Sequence, residues 1–342
     1  MLNGNRFCAL PPPPHNFLKG QSAQNAQNLL QRSIKAIQMR NPLYLFLLLA
    51  LLVPAGRLAA CDACGCSLSQ AYLGLTPLQS GHYLGVWWQH QYYRTYGDPE
   101  FSGPSSGAGE YFNSVELRGR YHLSDRLQFL GIVPYMHHIR SNAGTRRPVS
   151  GLGDVVAMAI VTVFDTSDSL ARKVRHRLAA GIGGKAPTGK FHQPGPGEVV
   201  NPNFQVGTGS WDALFNLSYT ARMGNWGASL DGTWRLNSTN SADYRFGSRL
   251  MGAAGVFRLN AVGKTQLMTN AALLYEDAAW DVESGYFRTN TGGAALFATL
   301  GAEWYWNRYN IGVNCSLPLD QDWNNGLVEA RARASLHFTF FM

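Results

Sequence analysis

The residues best equipped for chemistry are three cysteines, Cys61, Cys64 and Cys66, in the run Cys61-Asp62-Ala63-Cys64-Gly65-Cys66. C-x-x-C-x-C spacing can gather three thiolates around a soft ion such as copper or zinc, and Asp62 could add an oxygen. Two plainer readings compete. In an oxidising compartment two of the thiols close into a disulfide and one is left over. Alternatively, Leu58-Ala59-Ala60-Cys61 reads as a lipobox with Cys61 acylated, although Arg57 before the site and Asp62 after it favour simple cleavage. A c-type haem site is excluded, because Gly65 stands where that motif needs histidine. A thioredoxin-like role lacks its βαβ surroundings.

Other reactive side chains form no such group. His137-His138 and His192 are present, but no G-x-S-x-G nucleophile accompanies them. On a strand, His137 and His138 point to opposite faces and make a poor metal pair. No catalytic residue is assigned, and the chain reads as a non-enzyme.

The cysteine run follows a presequence. Leu43 to Val53 is apolar but too short to cross a bilayer as a helix. Met39-Arg40-Asn41 precedes it and Pro54-Ala55-Gly56-Arg57-Leu58-Ala59-Ala60 follows. This is the basic, apolar and small-residue order of a secretory signal peptide, spanning 39–60. Residues 1–38 read as an upstream extension ahead of a start at Met39. The chain therefore divides into a presequence (1–60), a Cys-rich periplasmic segment (61–80) and the remainder (81–342). The isoelectric point near 9.3 belongs largely to the presequence. Removing six of the 29 basic residues leaves 23 against 21 acidic ones, a balance that offers nucleic acid no basic footprint.

From 81 onward the elements that must position everything else are strands. The final segment alternates throughout: Val328, Ala330, Ala332, Ala334, Leu336, Phe338, Phe340 and Met342 on one face, Glu329, Arg331, Arg333, Ser335, His337 and Thr339 on the other. A period of two puts these sets on opposite sides of a strand, one suited to lipid and one to a wet interior. Trp226, Ala228, Leu230, Gly232, Trp234 and Leu236 oppose Ser229, Asp231, Thr233 and Arg235 in the same way. Cys315, in phase with Ile311, Val313 and Leu317, reads as a lipid-facing structural residue. Twelve strand-length segments appear between His82 and Phe341. Their links alternate long (Gly97–Gly109, Ser141–Ser150, Thr188–Val206, Glu276–Asn290, Leu319–Asn325) and short (Ser124-Asp125, Gly224, Asn260–Gly263, Asn307-Arg308). The pattern predicts an all-β, antiparallel transmembrane barrel of about 12 strands in the outer membrane of a Gram-negative cell, with both termini periplasmic. Its expected partners are outer-membrane lipid and a small-molecule solute. The phases predict a lumen lined by Glu116, Arg118, Arg120, Arg177, Lys185, Arg222, Asp231, Arg235, Glu329, Arg331 and Arg333. Basic residues dominate that set, so an open pore would favour anions weakly, unless the charges pair across the lumen and close it.

Three glycine-rich motifs interrupt the strands: Gly151-Leu152-Gly153-Asp154, Lys185-Ala186-Pro187-Thr188-Gly189 and Gly207-Thr208-Gly209-Ser210-Trp211-Asp212, followed by Trp226 and Tyr244-Arg245-Phe246-Gly247. Glycines at strand ends permit bulges and positive φ, and Pro187 can end a strand. Asp154 and Asp212 are expected to bond backbone or an opposing Arg inside the lumen. In order and spacing the motifs resemble the outer-membrane transporter family named for the MetA pathway of phenol degradation, over about residues 150–260. The resemblance implies passage of small, aromatic or apolar molecules, and it does not cover the cysteine run. Two functions stand as expectations: a channel for such molecules, or a barrel-anchored module that binds or transfers a soft metal through Cys61, Cys64 and Cys66.

Overall fold

A computed structural model describes residues 81–96, 108–142, 145–166, 173–191 and 204–342. The presequence and the cysteine run lie outside the described residues. The wall of the fold consists of β1 (Tyr83–Thr95), β2 (Ala108–His122), β3 (Leu127–Asn142), β4 (Thr145–Leu152), β5 (Val155–Asp165), β6 (Val174–Ala186), β7 (Asp212–Met223), β8 (Trp226–Asn237), β10 (Arg249–Val262), β11 (Thr265–Ala278), β14 (Gly293–Trp306), β15 (Tyr309–Trp323) and β16 (Val328–Phe341). Each strand pairs antiparallel with its neighbours, β1 joins β16, and the β2–β3 pairing completes the ring. β4 and β5 share one wall position: β3 pairs with β4 through Tyr135–Asn142 and with β5 through Leu127–Ile132. The result is a closed 12-strand antiparallel barrel.

Both chain-terminal strands and the tight turns share one end. Tyr83 pairs with Phe341 and Arg120 there, and Gly224, Gly263 and Asn307 make the turns with positive φ. The opposite, loop end carries a small sheet of β9 (Tyr244–Arg245), β12 (Asp281–Glu283) and β13 (Tyr286–Arg288). Tight turns at one end and longer crossings at the other follow the alternation read from the sequence, except that the link 166–173 between β5 and β6 is a long one at the tight-turn end.

Large apolar side chains cover the outside, among them Leu84, Val86, Trp88, Leu117, Val133, Leu217, Trp234, Leu300 and Phe338. Cys315 is also exposed on this face. At the terminal end Trp306, Tyr309, Phe338 and Phe340 pack ring on ring, with centroids 5.5–5.8 Å apart around Tyr309. Indoles and phenols of this kind suit the membrane–water boundary.

The structure corrects the sequence reading in three places. First, the chain does not loop out over Ser141–Ser150: Thr145–Leu152 pairs with β3 as β4. Pro148 and the Arg146-Arg147 pair hide a strand here, because its exposed half carries no apolar alternation. Second, the Glu276–Asn290 link extends β11 and holds β12 and β13. Third, β16 does not alternate without a slip. Gln91 pairs with Arg333 but Tyr93 pairs with Ala330, so Arg331 and Ala332 together oppose Tyr92. Such a bulge inserts one residue and inverts the phase beyond it. Val328 and Ala330 therefore point inward, 6% and 1% exposed, while Glu329 and Arg331 pair with each other on the outer face. Neither lines the lumen.

Candidate functional site: the barrel lumen

The inward side chains form a packed interior. Toward the terminal end Tyr83, Trp87, Leu130, Ile132, Met158, Phe257 and Met268 make one apolar cluster. Toward the loop end Tyr93, Phe112, Phe204, Leu274, Phe297 and Trp323 make another. Apolar residues on both faces of a barrel wall are unusual, since interiors of outer-membrane barrels are ordinarily polar.

Charged residues thread between the clusters as pairs. Arg118 donates through Nε and Nη2 to Glu116 Oε2 at 2.8 and 2.5 Å and lies over the Trp87 ring. Arg120 lies 4.6 Å over Tyr83. Arg333 holds Glu276 through two hydrogen bonds of 2.7 and 2.9 Å, donates to the Tyr93 hydroxyl at 2.7 Å and covers Phe297 at 3.8 Å. Arg140 pairs with Glu110 at 3.2 Å. Charge-assisted, two-pronged bonds of this type hold both partners in one geometry, and in a site screened from water neither partner can be lost cheaply.

Of the other expected lumen residues, Arg177 sits 3.6 Å from Asp165 and Arg222 donates to the Gly224 carbonyl at 2.9 Å. Both are tied to turns at the terminal end, away from the central pairs. Asp231 faces inward and accepts from Ser218. Arg235 is inward and 4% exposed. Sequence reasoning missed Glu110, Arg140, Arg249, Glu276 and Glu303. Glu276 was cut off by ending its strand at Tyr275, although its spacing from Leu274 puts it in the inward phase.

The three glycine-rich motifs converge. β5 begins at Val155, just after Asp154, which is 5% exposed. Asp154 Oδ1 accepts from the Gly189 amide at 2.9 Å, and Oδ2 accepts from Lys185 Nζ at 2.8 Å and the Thr208 amide at 3.0 Å. Lys185 also meets Asp212 at 2.8 Å and donates to Thr208, and Ser210 donates to Asp212 Oδ1 at 2.8 Å. Pro187 releases the chain from β6. Thr188 Oγ1 then bridges the Gly153 carbonyl and the Val155 amide, both at 2.9 Å, and the Gly153 amide donates to Pro134 at 2.8 Å. Gly209 takes φ +68 with Phe191 against it. Gly151 lies beside Val206. The expected backbone partners are thus present for Asp154, and the cation that meets both aspartates is Lys185 rather than the expected arginine.

This latch sits beside β4. β6 pairs with β5 as far as Val155–Ala186 and then leaves the sheet. Among the described residues β4 has one strand neighbour, β3. Its other edge is approached by the inward segments around 187–191 and 204–211 that the Asp154–Lys185–Asp212 cluster holds.

The cysteine run cannot be placed against this site, being outside the described residues. Among the described residues no group of three or more His, Cys, Asp or Glu is arranged to hold a metal ion.

No family model and no curated relative matches this sequence. Solved structures do match in fold. The COG4313 outer membrane channel from Pseudomonas putida F1 aligns over 78% of this chain and 97% of its own, with 15% identity and a TM-score of 0.59. The translocator domain of the autotransporter NalP from Neisseria meningitidis covers 80% and 93%, with 10% identity and a TM-score of 0.42. The CymD monoaromatic hydrocarbon channel covers 78% and 89%, with 8% identity and a TM-score of 0.35. At these identities the likeness concerns fold, and the first alignment carries it: the chain is an outer-membrane-type β-barrel.

Proposed function

We propose that this chain is an outer-membrane channel for small, predominantly apolar solutes, aromatic ones among them, with both termini on the periplasmic side. The observation that supports it best is the lumen itself. Its charges are largely paired within the wall, and the surface offered between them is Trp, Tyr, Phe, Leu and Met. Such an interior disfavours hydrated ions and favours molecules that need no hydration shell. The motif resemblance agrees with this reading.

The test is accumulation of a labelled monoaromatic by Gram-negative cells whose outer membrane excludes it, with and without this chain. Faster accumulation is expected, together with small single-channel conductance in planar bilayers. Equal accumulation in both cell lines and no conductance would sink the proposal.

A further inference from the structure

Among the described residues Arg235 is a charged lumen side chain that the hydrogen-bonded pairs leave out. It is 4% exposed. Its Nε and Nη1 have no hydrogen-bond partner, and no ion pair involves it among the described residues. Its register partner on β10 is Arg249, also inward and 8% exposed. Directly opposed residues on one face of an antiparallel pair hold their Cβ atoms about 4.5–5.5 Å apart, and like charges so placed repel.

The carboxylates nearby are already engaged. Glu276, one register row away through Met251, gives both oxygens to Arg333, and it faces Arg235 and Arg249 electrostatically without a hydrogen bond to Arg235 Nε or Nη1. Asp281, which together with Glu276 faces Arg249, accepts from Tyr244 and from the Gly247 amide at 2.7 Å. Asp212, beside Arg235 across β7, is held by Lys185 and Ser210. The remaining neighbours in the row are apolar: Leu214 on β7 and Ala278 on β11, 0% and 1% exposed. Farther along that row the Trp323 indole, 2% exposed, also has a donor without an acceptor.

A buried guanidinium with two idle donors, with Leu214 and Ala278 in its row, fits an anionic head on an apolar body. We propose that Arg235 is the head-group subsite for a carboxylate-bearing apolar solute in this lumen. The inference rests on the channel reading and refines it. Arg235 supplies the two-pronged donor geometry that matches a carboxylate.

The probes are benzoate and benzamide, which share shape and differ in charge, titrated into the purified full-length barrel with tryptophan fluorescence as readout. Benzoate is expected to bind at least about tenfold more tightly, since a hydrogen bond to a charged group outweighs a neutral one by that order. Arg235→Gln should remove the preference, while Arg235→Lys should keep part of it. Heat-modifiable migration in gels verifies folding of each variant, and the wild-type comparison stands even if a variant misfolds. Equal affinity of wild type for the two probes, or an intact preference in Arg235→Gln, would overturn the subsite. Inorganic phosphate displacing benzoate at equal concentration would also overturn it, because the apolar body would then be irrelevant. Failure of the channel reading shows separately, as absent uptake of a neutral monoaromatic by cells carrying the wild-type chain.

Discussion

Gly189 and Gly207 meet backbone to backbone: a Cβ added to Gly207 would lie 2.5 Å from the carbonyl carbon of Gly189. Two chain segments that leave the wall in opposite directions are pressed together at this point, directly over Asp154. Nothing but hydrogen fits between them, so Gly207→Ala must displace one segment, at a cost of about 1–3 kcal/mol. Urea unfolding of the purified barrel measures the loss, and faster trypsin cleavage at the exposed Lys190 reports the loosened segment. Gly232, with open space around it, is the control: Gly232→Ala should change neither.

Lys185 answers two buried aspartates at once, so its removal leaves both without a cation. Lys185→Met should destabilise the barrel by about 3–5 kcal/mol, the range for breaking a buried pair by losing one partner. Lys185→Arg keeps the charge and should cost less. A loss below 1 kcal/mol in the methionine variant, on the scale of an ordinary surface change, would show that the cluster is solvated.

The β16 bulge makes a discriminating pair of substitutions. Arg331→Leu places an apolar residue on the outer face and should alter stability by no more than about 0.5 kcal/mol. Ala330→Arg forces a long charged side chain into a position that is 1% exposed and should cost more than about 2 kcal/mol. An unbroken alternation requires the reverse order, so unfolding of the two variants decides the register.

Asp281, beyond the barrel wall at the loop end, is pushed up to about 6 by burial. Its folded value lies above the unfolded one, so its contribution to stability is full below about pH 4 and is lost as pH rises through 6. The small sheet of β9, β12 and β13 should loosen over that interval. Trp280, packed edge-on to Phe287 at 6.1 Å, supplies the readout: its fluorescence should change with a midpoint near pH 6, and Asp281→Asn should abolish the transition.

Much of this was legible in the sequence because lipid and lumen impose opposite demands on alternate residues. Trp226 through Leu236 declare their faces by chemistry alone. The tight turns at Gly224 and Asn307 are legible for a local reason, as they need positive φ. The misses share another cause. β4 lies where the wall's exterior carries Arg146, Pro148 and Ser150, so no apolar phase marks it. The β16 bulge is invisible because alanine fits either face, and Ala330, Ala332 and Ala334 carry the pattern across the slip. The latch was half legible: the motifs were found in order, but only the fold brings Gly153, Gly189 and Gly207 around one carboxylate.

Among the described residues β4 is paired on one side only, and this has a mechanical consequence. A tube whose every strand is bonded on both sides resists ovalisation, because bending at one seam strains all the others. A tube slit along part of its length flexes at the slit, and its stiffness there is set by whatever clamps the lips. Here the clamp is one lysine, two aspartates and a pair of facing glycines, so the compliance of a 12-strand cylinder is governed by a handful of atoms near one rim.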